Sequence, residues 1–260
     1  MRMYWILTGI IVVLIILAIM FGPNAWRLYK VTHLFDKNTI SYNFINMKEF
    51  FPTSTPIKAS KNPYVFKKRD DFLLPDLFEF KGEEKKIKEA IDYFNTDGLM
   101  ILKDGEIVYE NYWNKNKENS KHIIWSVSKS FLSALIGIAL DEGLIEDIND
   151  PIIKYLDDFK GTGYEGVSIK NLLQMSSGIK FNEDYGDPDS DINRYGRVTA
   201  TGTSQREFAK TLKNSRKPGT YNHYISLDSQ MLGMLVAEVS NMSVKEYLYE
   251  KIWSQIGMQD

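Results

Sequence analysis

From Met3 to Gly22 no position is charged, and isoleucine, leucine, valine and methionine dominate. About 20 apolar helical residues cross a hydrocarbon core of roughly 30 Å, so residues 1–22 are predicted to form a transmembrane anchor. A secretory signal has a shorter apolar stretch, about 7–15 residues, closed by small residues. Phe21-Gly22-Pro23-Asn24-Ala25 is a poor cleavage site, which favours an uncleaved anchor. Across 23–82 the periodicity is lost. Pro52, Pro56, Pro63 and Pro75 interrupt the chain, while Phe50, Phe51, Tyr64, Phe66, Phe72, Leu73 and Leu74 want burial. This segment reads as a juxtamembrane stalk that wraps against a body.

From residue 83 the pattern becomes regular, and 83–260 is taken as the folded domain. Ile87, Ala90, Ile91 and Phe94 recur at helical spacing within Glu84–Phe94. Leu99–Lys103 and Glu106–Glu110 flank Asp104-Gly105, a strong hairpin signal. Ser128–Glu142 is predicted as a helix ended by Gly143. Its stretch Phe131–Leu140 is apolar on nearly every face, which predicts burial all round. Ser168 opens a short helix through Met175 that stops at Gly178. Ser204-Gln205-Arg206-Glu207 and Ser243-Val244-Lys245-Glu246 are capping boxes. A last helix is expected over Leu227–Val239, with Met231, Leu232, Leu235, Val236 and Val239 inward. No further strand pair is evident after the hairpin.

Composition changes this picture little. With 43% hydrophobic and 25% charged residues the chain is ordinary for a globular protein. A net charge of −2 gives no footprint for nucleic acid. The absence of cysteine excludes disulfides, thiol chemistry and Cys-based metal sites, but does not fix the compartment. Arg2 on one side of the apolar run and Arg27 and Lys30 on the other leave the orientation undecided by charge.

Candidate chemistry begins at Ser126-Val127-Ser128-Lys129, just ahead of the apolar helix. Residues three apart on a helix share a face, about 5–6 Å apart at Cβ, so an amine can accept the hydroxyl proton without a histidine. The orphan N–H groups of that helix start can stabilise an oxyanion. A serine in this place also serves as a plain helix cap, and the stretch alone does not separate the two. Ser177-Gly178-Ile179-Lys180 repeats the spacing, but Gly178 should break the helix between its ends. Tyr224, after Pro218-Gly219-Thr220 and before the last helix, offers a phenol able to relay a proton; a buried core tyrosine is the competing reading. Tyr93 and Tyr112, which also precede an x-Asn pair, read as packing residues.

Other signals carry less. Gly161-Thr162-Gly163-Tyr164-Glu165-Gly166 spells a dinucleotide fingerprint, yet no strand precedes it and no long helix follows, so it reads as a loop. Asp187-Pro188-Asp189-Ser190-Asp191 starts like a calcium loop, but Ile192 and Val198 stand where glycine and glutamate are required. This acidic stretch, with Glu183 and Asp184, would attract an amine-bearing substrate if it bordered the cleft; a solvated loop is the simpler reading. His33, His122 and His223 are scattered, and His223 adjoins Tyr224, where it would line the cleft or pack.

Together the Asp-Gly hairpin, Trp125-Ser126-Val127-Ser128-Lys129-Ser130-Phe131, Ala139-Leu140-Asp141-Glu142-Gly143, Leu172-Leu173-Gln174-Met175-Ser176-Ser177-Gly178, the Pro-Gly-Thr and the Tyr224-Ile225-Ser226 triplet resemble the serine β-lactamase and penicillin-binding superfamily. The similarity covers about residues 85–260. It is nearest to the class C-like branch that includes 6-aminohexanoate-dimer hydrolases and related esterases. The resemblance implies an α+β fold, an antiparallel sheet flanked by helices plus a mostly helical subdomain. It implies Ser126 as acylated nucleophile and oxyanion N–H donor, Lys129 as general base, Tyr224 as general acid and base, and Ser226 in the substrate-binding second motif. The family's third motif, Lys/His-Thr/Ser-Gly on a late strand, has no match after Tyr224. The sheet is therefore expected to be incomplete here and the polypeptide truncated at its C-terminal end, with activity expected of the complete protein.

The resulting expectation is a membrane-anchored, extracytoplasmic serine hydrolase acting through an acyl-enzyme on small esters, amides or short peptides. It needs no metal or organic cofactor and no nucleic acid. The alternatives are a penicillin-binding D-amino-acid peptidase and a membrane-tethered binding module without catalysis.

Overall fold

The computed structural model describes residues 2–51 and 55–259. Its first element, α1 (Arg2–Thr32), is one helix of 31 residues with Pro23 inside it. The helix thus continues about three turns beyond the expected boundary at residue 22. Proline removes one backbone donor but does not end the helix, and Arg27, Lys30 and Thr32 lie on its last turns. Most of α1 stands free of the body, with Ile10, Ile15, Ile19 and Phe21 exposed. By length and composition it is able to cross a membrane. A short helix, α2 (Ile40–Ile45), follows. Its buried Asn43 donates to the Leu34 carbonyl at 2.9 Å and folds the polypeptide back on the end of α1.

The stalk clamps the body. Ile107 N donates to Lys67 O and Arg69 N to Ile107 O, both at 2.8 Å, laying residues 67–69 beside a strand. Ser60 N and Tyr64 N donate to Met258 O and Gly257 O. Burial of its apolar residues is only partial, however. Phe50 is buried, but Tyr64 and Phe66 are exposed and Leu73 is 87% exposed. Backbone bonds, rather than a continuous apolar seam, hold this segment.

Two antiparallel hairpins follow. β1 (Leu77–Phe80) pairs with β2 (Glu83–Lys86) across Lys81-Gly82, both at positive φ, as a two-residue turn demands. The helix expected from Glu84 therefore begins later, as α3 (Ile87–Tyr93). Glu83, Glu84, Lys85 and Lys86 offer no apolar face to a helix and pair as a strand instead. β3 (Gly98–Lys103) and β4 (Glu106–Tyr112) form the anticipated Asp104-Gly105 hairpin. Each sheet has two strands.

The core lies among the helices after residue 127. α4 (Ser128–Asp141) packs on the later α8, Ser226–Ser240. Between them and the short α5 (Ile169–Leu173) sit Leu135, Ile136, Ala139, Leu172, Leu232 and Leu235. Burial of α4 is one-sided: Leu135, Ile136 and Ala139 are buried while Ala134, Gly137 and Leu140 face outward. α8 covers one face, and the opposite one is left exposed. Helix starts obey their caps. Ser168 accepts from Asn171 N in a reciprocal box, as Ser243 does with Glu246 at the start of α9, Val244–Leu248. Ser204 accepts from Glu207 N and opens α7, Gln205–Thr211. An unanticipated helix, α6 (Asp191–Thr201), is capped by Ser190 and closed by Gly202 at φ +72°. It packs on the end of α1.

Candidate active site

Ser126 sits in a 3₁₀ turn (Trp125–Val127) that runs directly into α4. The preceding Trp125 has φ +44°, a conformation that costs a bulky residue about 1–3 kcal/mol. Its ring is gripped by Phe35, stacked at 5.5 Å, and by Phe44, edge-on at 5.4 Å. Ile123 N donates to Phe44 O at 2.9 Å, and Ser128 Oγ to Trp125 O at 2.7 Å. The turn carrying Ser126 is therefore held from the α1–α2 side as well as from α4.

One helical turn on, Lys129 Nζ lies 3.1 Å from Ser126 Oγ. Tyr224 arrives from a distant part of the sequence. Gly219 N and His223 N donate to Ser176 O and Met175 O, both at 2.8 Å, and Asn222 Nδ2 to Gln174 O at 2.7 Å. These bonds lash residues 219–223 to the end of α5. The fully buried Ile225 then anchors the start of α8. The Tyr224 hydroxyl ends 2.6 Å from Ser126 Oγ, and its ring centroid lies 5.3 Å from Lys129 Nζ. Tyr224 is 45% exposed, so it faces the cleft rather than the core. Hydroxyl, amine and phenol thus meet on one oxygen at the positive end of a 14-residue helix.

Ser226 is placed beside this trio by Glu183. The Glu183 carboxylate accepts from Ser226 N at 2.9 Å and from Ser226 Oγ. Tyr185 also donates to it, at 3.1 Å. Burial first, and the Glu183 charge second, push the Tyr185 hydroxyl above its ordinary range. In the sequence Glu183 stands only as part of an acidic stretch, and nothing in its neighbours announces a contact with a residue 43 positions away.

The other candidates lie elsewhere. Asp184 accepts from Gly186 N at 2.8 Å and shapes its own turn. His223 has its Nε2 3.1 Å from Phe181 O and borders a separate hollow of about 230 Å³ with Arg216 and Tyr221. Asp187 and Asp191 bind Asn182 at 3.1 and 2.9 Å. Among the described residues no group of three or more His, Cys, Asp or Glu is arranged to hold a metal. Ser177 is buried and Lys180 exposed, with Gly178 at φ +74° between them, so the second Ser-x-x-Lys forms no pair. Tyr93, expected to pack, is 82% exposed, because α3 buries none of its residues.

Two hollows flank the trio. One, of about 680 Å³, reaches Ser126 and Lys129 from the side of α1 and α6. The other, of about 830 Å³, runs along α4 and α8 past Phe131, Met234 and Trp253.

Residues 85–260 match the family described as Beta-lactamase. The 6-aminohexanoate-dimer hydrolase of Paenarthrobacter ureafaciens is 29% identical over 190 residues, 70% of this chain and 45% of that protein. An Escherichia coli K12 protein, provisionally named a D-alanyl-D-alanine carboxypeptidase, is 20% identical over 79% of this chain and 52% of its own. The chain thus spans about half the length of these curated relatives. A solved Bacillus anthracis structure, provisionally named a 6-aminohexanoate-dimer hydrolase, is similar in fold. It has a TM-score of 0.76 and 21% identity, and the likeness covers 87% of this chain and 62% of the other.

Proposed function

This chain belongs to the beta-lactamase family, and from that premise we propose that it carries the reaction centre of a membrane-tethered serine hydrolase working through an acyl-enzyme on small esters or amides. The observation that carries the reading is the convergence of Lys129 Nζ and the Tyr224 hydroxyl on Ser126 Oγ, at 3.1 and 2.6 Å.

Each group has one task. Lys129 takes the Ser126 proton as Oγ bonds to the substrate carbonyl carbon. The carbonyl oxygen gains negative charge in the field of the α4 start, where the Ser126 N–H donates to it. The proton then passes by way of Tyr224 to the leaving oxygen or nitrogen as its bond to carbon breaks. Water enters, gives a proton back through the same pair to Ser126, and releases the acid. Glu183 and Ser226 hold the backbone that presents Tyr224. The 6-aminohexanoate-dimer hydrolase relative supports an amide or ester substrate. The tether is supported by the length and composition of α1 and by the stacked Trp26–Tyr29 pair near its end, aromatic residues of the kind that favour the membrane interface.

Turnover of p-nitrophenyl acetate by the whole protein tests the reading. Wild type should hydrolyse the ester and Ser126→Ala should not; equal rates would remove the proposal. The carboxypeptidase-named relative motivates a second arm. A long-lived penicillin adduct on Ser126, with no ester turnover, would favour a penicillin-binding peptidase instead.

A further inference from the structure

The hollow on the α1 side of Ser126 has a particular chemistry. Leu34, Phe35, Ile124, Trp125, Ile192 and Tyr195 supply its apolar walls, and its volume of about 680 Å³ is that of a small-molecule site, about 300–1,000 Å³. Polar side chains also line it, and several of them are engaged by their own backbone and neighbours. Asn193 Nδ2 donates to Tyr185 O and Asp187 O, at 3.1 and 2.8 Å. Arg197 donates to Pro188 O at 2.7 Å. Thr199 donates to Tyr195 O at 3.0 Å and accepts from Gln205 at 2.9 Å. A peptide or sugar placed here would find few free partners, whereas a hydrocarbon tail needs none.

The same hollow joins two other features. Ser126 and Lys129 line it, and so do Val31 and Thr32, the last residues of α1. Trp26 and Tyr29, stacked at 5.4 Å, mark an interfacial belt if α1 crosses a bilayer. Val31 is five residues beyond one and two beyond the other, so at about 1.5 Å per residue it stands roughly 3–8 Å past that belt. The cleft therefore stands at headgroup level and includes Ser126 in its lining.

We propose that this cleft is an acyl-tail subsite, and that the substrate acylating Ser126 is a fatty ester whose hydrocarbon tail lies between α1 and α6. This deepens the hydrolase reading and rests on it. The ester carbonyl carbon bonds to Ser126 Oγ, the alcohol leaves with the proton, and water later releases the fatty acid.

The test compares p-nitrophenyl octanoate with p-nitrophenyl acetate, using the whole protein in phosphatidylcholine vesicles. The octanoate should have the higher kcat/KM by about tenfold or more, since each added methylene in a hydrophobic pocket discriminates by that order. Gly196 gives a second arm. It lines the cleft, and a Cβ built there meets nothing within 4 Å. Gly196→Trp should fill the space and lower the octanoate-to-acetate ratio by about tenfold or more; a general loss of fold would lower both rates together. Acetate turnover that depends on Ser126, with an octanoate ratio at or below one or a ratio untouched by Gly196→Trp, overturns the subsite and leaves the hydrolase reading standing. No turnover of either ester and no labelling of Ser126 overturns both.

Discussion

At the residue scale, two kinds of side chain set the behaviour of this protein. The first is the trio on Ser126. Removing a positioned proton carrier from an acyl-transfer site costs about 10²–10⁴ in rate, so Lys129→Ala and Tyr224→Phe should each slow acylation by that order while leaving thermal melting nearly unchanged. Stopped-flow measurement of p-nitrophenolate release checks this; a Tyr224→Phe enzyme with wild-type rates would assign the phenol no part. The second is Asp228, fully buried on the first turn of α8 with both carboxylate oxygens short of hydrogen-bond geometry. Burial pushes its carboxyl up from 3.8 to about 7, with the nearby Ser177 pulling it partly back and the Glu183 charge adding to the rise. The folded protein therefore keeps a proton that the unfolded one has already lost. Stability from this group is full below about pH 4 and is lost as pH rises through about 7, at about 1.4 kcal/mol per unit of pKa difference as an upper bound. Urea melts between pH 5 and 8 should show this slope in wild type and lose it in Asp228→Asn, which should also be the more stable of the two at pH 8. A slope kept by Asp228→Asn would place its origin in another group.

At the scale of elements, capping and turn chemistry were the most legible features. Ser168, Ser204 and Ser243 each accept a bond from the third residue of the helix that follows, and Asp104-Gly105 turns its hairpin. These are local rules, settled within four residues. What sequence did not disclose depends on distant partners. The β1–β2 hairpin is made of exposed residues with no alternation of burial to detect, whereas α6 does carry local signals, the Ser190 cap, Ile192, Tyr195 and Val198 at helical spacing and the closing Gly202, at the edge of a stretch whose acidic residues suggest a loop. Glu183 belongs here as well. Its two bonds to Ser226 fasten the start of α8 and so aim Tyr224, yet its role is invisible without the fold. Glu183→Gln should lower kcat by about tenfold, a loss of aim rather than of chemistry, and leave the KM for p-nitrophenyl acetate within about twofold; Glu183→Asp should recover part of it. An unchanged kcat would make Glu183 a purely structural cap. The α4–α8 contact is where the elements are held together. Leu235 is fully buried there, and Leu235→Ala should cost about 2–5 kcal/mol in chemical denaturation. A loss below about 0.5 kcal/mol, the scale of a surface substitution, would mean that α8 does not pack as described.

For the whole molecule, the arrangement that matters is the path from α1 to Ser126. α1 ends at Thr32, Phe35 stacks on Trp125, and Trp125 holds the turn that carries Ser126. The end of α1 and Ser126 are thus neighbours, in keeping with a segment over 23–82 that wraps against the body rather than a loose linker. The long apolar helix α1 was legible because a long uncharged run is a property of composition alone. The convergence of Ser126 and Tyr224, 98 positions apart, was legible only through the ordered set of motifs, since no local pattern specifies it. The protein is expected to stay in the membrane pellet after alkaline carbonate extraction, and its folded domain to be cut by protease added to intact cells. Release into the supernatant would contradict the tether, and protection in intact cells would contradict the outward placement. The central claim, that Ser126 is a nucleophile activated by an amine and a phenol, is tested most directly by mass spectrometry of the whole protein treated with a fluorophosphonate. A single adduct on the peptide carrying Ser126, formed more slowly in Lys129→Ala and absent in Ser126→Ala, is the predicted result; an unmodified Ser126, or an adduct on another serine, would contradict it.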